Sequence, residues 1–200
     1  SVFLLYFLPL FLLIYHFVSK KFKNLTILLG SIVFYSWGAP KFIFIIILST
    51  YIDFYIVRRI YLTTNFNSRK LLLSLSILIN LGLLAYFKYA NFFVENLNLL
   101  LNSFGITQIN WTSVILPIGI SFYTFQTLTY SIDIYRKQQK PLERVLDYML
   151  YIMSFPQMIA GPIVRFNSIA NQITDRKENF DEKLVGFYRF CIGLAKKVLI

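Results

Sequence analysis

The residue types most often used in catalysis are scarce in this chain, which has one histidine, His16, and one cysteine, Cys191, among its 200 residues. Neither residue can form a metal cluster alone, and a lone cysteine excludes a disulfide within the sequence. The sequence also lacks a glycine-rich phosphate loop, a CxxC motif and a serine–histidine–aspartate set. We therefore predict no metal site in residues 1–200, and these motifs alone do not indicate a catalytic reaction. We interpret His16 as a ring at the boundary of an apolar segment and Cys191 as a small buried side chain.

Asp53 is the acidic residue best placed for a function, because it lies inside an apolar segment, where a charge is costly. Arg58 and Arg59 follow five and six positions later. They place Asp53 within about two helical turns of a basic loop, which favours a role as a structural partner. Both the functional and the structural interpretation stay open.

Residues 148–164 form a charge-free apolar stretch that is interrupted by Pro156, Gln157, Gly161 and Pro162. Each proline removes a backbone donor and clashes with the preceding turn, so one smooth lipid-facing helix is excluded. Irregular backbone at membrane depth persists only where it packs in protein or lines a cavity. The stretch therefore predicts either a substrate path built on a discontinuous helix or a kinked packing helix.

Residues 116–136 carry an unusual number of hydroxyl and amide side chains for an apolar segment. So many polar groups indicate contact with protein or water rather than with lipid. They could line a polar tunnel, or they could form hydrogen bonds with neighbouring helices. The spacing alone does not rank these alternatives.

The composition excludes an ordinary soluble domain. Hydrophobic residues make up 57% of the chain and charged residues only 14%, whereas soluble domains have about 25% charged residues. Six apolar segments and a seventh beginning near Leu184 predict an all-α, polytopic transmembrane helical bundle. Some segments are short or re-entrant, since a full span needs about 20 residues. The six segments are 1–18, 25–37, 42–57, 71–87, 111–132 and 148–164, with a tight turn at 38–40.

The net charge of +11 is concentrated in alternate loops, after the first, third and fifth segments. Cytoplasmic loops carry such an excess of lysine and arginine, so we expect a multi-pass protein of the inner or plasma membrane with its N-terminus outside. Membrane lipid accounts for the basic charge, and we expect no nucleic-acid partner. The basic residues are Lys20, Lys21 and Lys23; Arg58, Arg59, Arg69 and Lys70; and Arg136, Lys137, Lys140 and Arg144.

The sequence begins at Ser1 and stops at Ile200 inside apolar runs, so we expect an N-terminal fragment of a longer protein, with residues 1–200 in a single membrane domain. The start has neither a basic region nor a small-residue cleavage site, so we interpret residues 1–18 as a membrane segment rather than a signal peptide. After Val164, charges of both signs are mixed, and the topology stays open.

Three stretches resemble, in order, the membrane-bound O-acyltransferase (MBOAT) family, and in particular its alginate O-acetylase branch. They are LPIGISFYTFQTLTYSIDIYR at 116–136, FPQMIAGPIVRF at 155–166 and GFYRFCIGLAKKVLI at 186–200. The earlier SIVFYSWGAPKF at 31–42 is similar to the same branch. The family also includes proteins of peptidoglycan O-acetylation and of D-alanyl transfer to teichoic acid.

The resemblance implies a bundle of many helices around a tunnel that connects the two membrane faces. An acyl group from a cytoplasmic donor, acetyl-CoA or another acyl carrier, passes through it as a substrate, and no bound cofactor is expected. The partners implied are an extracytoplasmic acyltransferase protein and a polysaccharide acceptor. The family's catalytic histidine is expected beyond Ile200, so residues 1–200 alone should be inactive.

Within this sequence, the resemblance implies tunnel-lining positions only in the FPQMIAGPIVR stretch. The five candidates are Pro156, Gln157, Gly161, Pro162 and Arg165. Lys196 and Lys197 also match the family, and we expect them at a membrane face.

The resemblance favours O-acetylation of an exported polysaccharide such as alginate. Peptidoglycan O-acetylation and D-alanyl transfer are the alternatives within the family. From other classes, a transporter or lipid flippase would use the broken segment as a half-helix site, and a membrane scaffold would have no catalytic histidine.

Overall fold

The computed structural model describes residues 3–158, 165–176 and 179–199. Over these ranges the secondary structure is helical, without a β-strand, which confirms the all-α prediction. The described residues fall into two compact units, Ser1–Ser168 and Ile169–Ile200. The single membrane domain predicted for residues 1–200 stays a prediction. In order, the α-helices are α1 Leu8–Phe17, α2 Lys23–Gly38, α3 Ile43–Leu62, α4 Phe66–Ser103, α5 Ile120–Tyr135, α6 Val145–Met153, α7 Phe155–Met158, α8 Phe166–Thr174 and α9 Phe180–Leu199.

The tight turn predicted after the second apolar segment is present. Helix α2 ends at Gly38, and the backbone N–H of Ala39 donates to Tyr35 O at 2.8 Å. The N–H of Phe42 then donates to Ala39 O at 3.1 Å, so α3 begins immediately. The turn therefore joins two helices that follow each other closely in the chain, as Gly38-Ala39-Pro40 indicates.

The helix predicted for residues 71–87 is much longer than the sequence indicated, because α4 has 38 residues. Its polar residues after position 88 looked like a connection, but the stretch contains no glycine or proline that would end a helix before Gly105. Asn65 begins the helix by accepting from the backbone N–H groups of Asn67 and Ser68, at 2.9 and 3.4 Å.

Two asparagines of α4 hold the extended segment that follows the helix. The Asn98 side chain accepts from the Ile109 N–H at 2.8 Å and donates to the Ile109 carbonyl at 3.1 Å. Asn91 does the same with Val114, at 2.8 Å in both directions, and its oxygen also accepts from Trp111 Nε1 at 3.0 Å. We call these two contacts the asparagine brackets. They satisfy backbone groups that no β-strand partner reaches.

The fifth apolar segment, predicted over 111–132, becomes helical only at Ile120. The backbone turns at Pro117 and Gly119, and Gly119 has a φ of 80°. This left-handed conformation is unfavourable for a residue that has a Cβ atom, whereas glycine adopts it without a steric penalty. The prediction of a helix from 111 was therefore wrong by nine residues.

The core of the first unit lies where α3 packs against α4, α5 and α6. Helix α2 packs against α6 and α7, so α6 has neighbours on several sides. All six residues from Tyr148 to Met153 are buried. Helix α6 is thus the most enclosed element of the unit, although it has only nine residues.

Within the described part of the chain, α4 is the one helix that is long and apolar enough to cross a membrane. Residues Leu5–Phe17 form a shorter apolar helix. The multi-pass arrangement predicted from the sequence therefore stays a proposal.

Phenylalanine rings pack the start of the chain against the bundle. The Phe155 ring lies 5.0 Å from the Phe11 ring and 5.5 Å from the Phe7 ring, both edge to face. Phe34 of α2 lies 5.2 Å from Phe7. Edge-to-face pairs at these separations are favourable, so this cluster fixes α1 against α2 and α7.

Gly30 allows the close approach of α1 to α2. A Cβ at this position would lie 2.7 Å from Phe11 Cε2. Since other rings hold the Phe11 ring, we expect Gly30→Ala to lower the free energy of unfolding by about 1–2 kcal/mol. Gly82→Ala in α4 is the matched control, because its Cβ would meet nothing within 4 Å. Gly82→Ala should gain up to about 1 kcal/mol of stability from the higher helix propensity of alanine. The measurement is thermal unfolding in detergent, and equal shifts of the unfolding midpoint in both variants would contradict the packing argument.

The second unit contains α9, so a helix is present where a seventh apolar segment was expected near Leu184, but within the described residues α9 is not among the helices apolar enough to cross a membrane. The prediction that Cys191 is buried was wrong, because its side chain is exposed. The reason is that α9 has no buried residue, so its apolar side chains remain open. Lys196 and Lys197 lie in its last turn, where cations complement the helix dipole.

Candidate functional site

The break predicted in residues 148–164 lies at Ser154. Helix α6 ends at Met153, Ser154 has an extended ψ of 119°, and α7 begins at Phe155. Pro156 is consequently in the first turn of α7, where the missing N–H would have no helical partner. The break therefore comes two residues before the proline to which we attributed it. In a continuous helix the Pro156 ring would clash with the Ile152 carbonyl, which explains why the helix ends where it does.

Ser31 of α2 satisfies the donor that the break exposes. The Phe155 N–H donates to Ser31 Oγ at 3.0 Å instead of to the carbonyl four residues earlier. The Ser31 hydroxyl in turn donates to Ile27 O at 2.7 Å. Because the Ser31 side chain is fully buried, its hydroxyl takes the place of the helical acceptor for the Phe155 N–H at a position closed to solvent.

Two glutamines satisfy the acceptor on the other side of the break. Gln126 Nε2 of α5 donates to Tyr151 O at 2.7 Å, and Gln157 Nε2 of α7 donates to the same carbonyl at 2.5 Å. Tyr151 and Gln126 are 1% and 3% exposed. The break is thus a packed feature with paired backbone groups, which is the condition for irregular backbone inside an apolar environment.

The five predicted tunnel-lining residues are only partly described. Pro156 is exposed, Gln157 is half-buried, and Arg165 is exposed. The Arg165 carbonyl accepts from the Ser168 N–H at 3.1 Å, at the start of α8. Gly161 and Pro162 lie outside the described residues. Pro156 and Gln157 lie together at the break.

Asp53 is the centre of a second polar cluster, which we call the Asp53 cluster and which joins four helices. One carboxylate oxygen, Oδ1, accepts from Ser76 Oγ at 2.5 Å and from Asn80 Nδ2 at 3.1 Å, both on α4. The other oxygen, Oδ2, accepts from Tyr148 OH of α6 at 2.7 Å. Ser131 Oγ of α5 lies 3.4 Å from Oδ2 but is closer to its own helix carbonyl, Thr127 O, at 3.0 Å.

The Asp53 carboxylate is 1% exposed, and its partners among the described residues are all neutral. Several donors on two oxygens match the acceptor capacity of a carboxylate. Arg58 and Arg59, which the sequence suggested as neighbours, are exposed. Asp53 is therefore a structural partner to hydroxyl and amide groups rather than to an arginine.

The hydroxyl-rich helix α5 uses several of its polar groups inside the protein. Thr127 Oγ1 donates to Tyr123 O at 2.8 Å, and Thr129 Oγ1 donates to Gln126 O at 2.9 Å. Such local bonds and the contact of Gln126 with α6 account for those side chains without a tunnel. The Tyr123 hydroxyl is buried and has no hydrogen-bond partner in the described ranges.

Sequence reasoning missed the serines and the tyrosine that complete both clusters: Ser31, Ser76 and Tyr148. Each lies in an apolar stretch where it looked like an ordinary small or aromatic packing residue. Buried polar groups need partners, so their presence beside Asp53 or a proline was the signal that could have indicated them. His16 is exposed in the last turn of α1, outside both clusters.

The break and the Asp53 cluster can hold helices in place through hydrogen bonds between different helices. Stretches 31–42, 116–136 and 155–166 meet at the break, through Ser31, Gln126, Phe155 and Gln157. Three of the four stretches that carry the family resemblance therefore meet at one place in the first unit.

Comparison with curated proteins gives matches along the whole chain. The chain is 37% identical over 201 residues to the "Probable alginate O-acetylase AlgI" of Pseudomonas aeruginosa, covering 100% of this chain and 39% of that protein. It is 38% identical to the protein of the same name from Azotobacter vinelandii, covering 40% of that protein. It is 32% identical to the "Peptidoglycan O-acetyltransferase" of Helicobacter pylori, over 97% of this chain and 41% of the relative.

The chain spans about two fifths of the length of these relatives. No protein-family model matches it. No solved structure matches it either. Identity above 30% along the full chain, together with the motif stretches that meet at the break, establishes homology over all of these residues. The chain belongs to the AlgI-like branch of the membrane-bound O-acyltransferase family.

Proposed function

We propose that the chain is part of a membrane-bound O-acyltransferase that O-acetylates an exported polysaccharide such as alginate. The observation that supports this most is the identity of 37–38% over the whole chain to proteins named alginate O-acetylase. Because the chain spans about two fifths of those relatives, the activity is proposed for the longer protein.

The proposed reaction moves an acetyl group from a cytoplasmic donor, acetyl-CoA or another acyl carrier, toward an acceptor outside. A histidine beyond residue 200 would polarise or deprotonate the attacking hydroxyl. Residues 1–200 would supply the helical frame around the path. An extracytoplasmic acyltransferase protein and the polysaccharide are the proposed partners.

We place the protein in the inner or plasma membrane, as a multi-pass protein with its N-terminus outside. The alternation of basic loops supports this orientation. The length and apolar composition of α4 support a span. Large exposed apolar side chains such as Phe44, Leu78 and Phe93 would face lipid in that arrangement.

The test is complementation in an alginate-producing strain that lacks its own O-acetylation. The complete protein should restore acetyl esters to exported alginate, measured per uronate residue after purification. Cell-wall peptidoglycan and teichoic acid from the same cells should be analysed for acetyl and D-alanyl esters. Polysaccharide without acetyl esters, in cells that contain the protein in their membrane, would contradict the proposal.

Peptidoglycan O-acetylation is the second candidate, and the Helicobacter pylori relative at 32% identity favours it. The same experiment separates the two, since acetyl esters would then appear on peptidoglycan and not on alginate. D-alanyl esters on teichoic acid would indicate the third reaction of the family.

We further propose that Pro156, Gln157, Gly161, Pro162 and Arg165 shape the wall of the acyl path. The position of Pro156 and Gln157 at a break inside a buried helix pair supports this. Gln157→Leu and Arg165→Gln in the complete protein should reduce acetyl transfer, because the first releases the Tyr151 carbonyl and the second removes an exposed cation.

We expect about a tenfold loss for Gln157→Leu, which is the effect of misplacing a path by a fraction of an ångström. Gln138→Leu and Arg136→Gln are matched controls at exposed positions of a loop. Unchanged transfer in the Gln157 and Arg165 variants, with equal amounts of protein in the membrane, would reject the path assignment.

A further inference from the structure

Helix α6 is held at both of its ends by buried hydrogen bonds. Near its start, Tyr148 OH donates to Asp53 Oδ2 at 2.7 Å. Near its end, the Tyr151 carbonyl accepts from Gln126 and Gln157 at the break. The two points of attachment are three residues apart, which is about 4.5 Å along a helix.

The Asp53 carboxylate, which accepts from the Tyr148 hydroxyl, is held in position by residues outside α6. Ser76 and Asn80 of α4 both donate to the other carboxylate oxygen of Asp53, at 2.5 and 3.1 Å. Asn80 is fixed in turn, because its amide also donates to Ser76 O at 2.9 Å. Helices α3 and α4 therefore present a fixed carboxylate oxygen to which α6 binds.

The short helix can transmit this position to the break. All residues from Tyr148 to Met153 are buried, and the Tyr130 ring packs 4.8 Å from the Tyr148 ring. Tyr130 OH also accepts from the Leu142 N–H at 2.8 Å, which fixes the chain just before α6. Tyr148 and Tyr151 lie within one turn of a buried, closely packed helix. A rotation or shift of the helix at Tyr148 must therefore also move the Tyr151 carbonyl.

We propose that Asp53 is a positioning residue for acyl transfer: by binding Tyr148 it sets the rotation and depth of α6 and thereby the geometry of the break at Ser154. This inference rests on the proposed function for its effect on activity, but its effect on the break is independent of that function. It assigns Asp53 a role beyond packing, although the hydrogen-bond partners of its side chain in the described ranges are Ser76, Asn80, Ser131 and Tyr148.

The decisive variant is Tyr148→Phe in the complete protein, because it removes one hydroxyl and leaves Asp53 with its α4 partners. The position of the break is read by the labelling rate of a thiol introduced by Ser154→Cys, in a background where Cys191 and any further cysteine are replaced by serine. Ser154 is half-buried and its side chain is close in size to cysteine. We expect Tyr148→Phe to change this rate by about fivefold, as loss of one ordinary hydrogen bond would.

Two controls separate positioning from general loosening. A thiol introduced by Ser121→Cys, also half-buried but in the first turn of α5, should keep its labelling rate. Tyr55→Phe removes the same hydroxyl from an exposed ring of α3 and should change neither rate. If both thiols respond equally to Tyr148→Phe, the effect is global and the positioning role is overturned.

Acetyl transfer gives the second readout. Tyr148→Phe should lower the rate at saturating donor by roughly tenfold while the amount of protein in the membrane is unchanged. Loss of transfer without a change at the break, or a change at the break without loss of transfer, would overturn the inference. If the wild-type protein shows no acetyl transfer but labelling responds as expected, the proposed function fails and the control of the break by Asp53 stands.

If Tyr148→Phe does not accumulate in the membrane, Asp53→Asn takes its place. This variant keeps the shape of the side chain but can present a donor amide to Tyr148 in place of the Oδ2 acceptor. It should shift labelling at Ser154→Cys in the same direction as Tyr148→Phe, and an unchanged rate would overturn the inference.

Discussion

Asp53→Ala should lower the free energy of unfolding by about 3 kcal/mol or more, because it removes the acceptor of three buried hydrogen bonds at about 1–3 kcal/mol each. The donors are Ser76, Asn80 and Tyr148, which are 0%, 5% and 0% exposed. The loss should appear as a lower midpoint in detergent unfolding of the complete protein.

Two companion variants make this prediction specific. Asp53→Asn keeps one acceptor oxygen for the α4 donors, and we expect it to lose only about 1 kcal/mol. Glu95→Ala removes an exposed acid from α4 and should stay within about 0.5 kcal/mol of the wild type. An Asp53→Ala protein as stable as the Glu95→Ala protein would show that the Asp53 cluster does not hold the four helices together.

Ser31→Ala should destabilise the protein by about 1–3 kcal/mol, because the Phe155 N–H would be buried without a partner. The hydroxyl is small, and its removal creates little cavity, so the lost bond dominates the effect. Ser168→Ala is the matched control, since its hydroxyl bonds to Arg165 O at an exposed position.

The same argument predicts a suppressor. Pro156→Ala removes the ring that would clash with the Ile152 carbonyl in a continuous helix, so the Phe155 N–H can return to Tyr151 O, its partner four residues earlier. A carbonyl has two lone pairs, and Tyr151 O, which accepts from Gln126 and Gln157, can accept this bond while keeping one of the two glutamine donors. Ser31→Ala combined with Pro156→Ala should therefore recover most of the stability lost in Ser31→Ala. Additive losses in a double-mutant cycle would contradict this account of the break.

The existence of a broken helix followed from the sequence, but its atomic arrangement did not. Two prolines in an apolar stretch exclude a smooth helix whatever surrounds them, because the restriction is local. The hydrogen bonds that satisfy the backbone groups at the break come from Ser31 and Gln126, which lie on α2 and α5. No local pattern in residues 148–164 contains that information.

The environment of Asp53 could likewise be predicted only in part from the sequence. Its position in an apolar stretch indicated a buried acid that needs partners. The nearby arginines were the partners suggested by sequence distance, whereas the structure supplies Ser76, Asn80 and Tyr148 from α4 and α6. Helix packing brings together residues that are 23 to 95 positions apart in the chain.

The length of α4 was underestimated for a related reason. Asn91, Asn98 and the charged residues near them look like a connection when they are considered as composition. In the structure their amides hold the segment that follows, and this use of polar residues is a tertiary effect that overrides the local pattern.

The asparagine brackets have a consequence for how this region can evolve. Asn91 and Asn98 are two turns apart on one helix, about 10 Å, and each bonds to the N–H and the carbonyl of a single residue in the segment that runs back along the helix. Apart from Trp111, whose indole N–H donates to Asn91, the side chains between Ile109 and Val114 can vary, because the two asparagines bond to the backbone. The number of residues between Ile109 and Val114 cannot vary, since one inserted residue would bring the wrong residue to a bracket. Homologous chains that retain both asparagines should therefore differ in the composition of this loop and agree in its length.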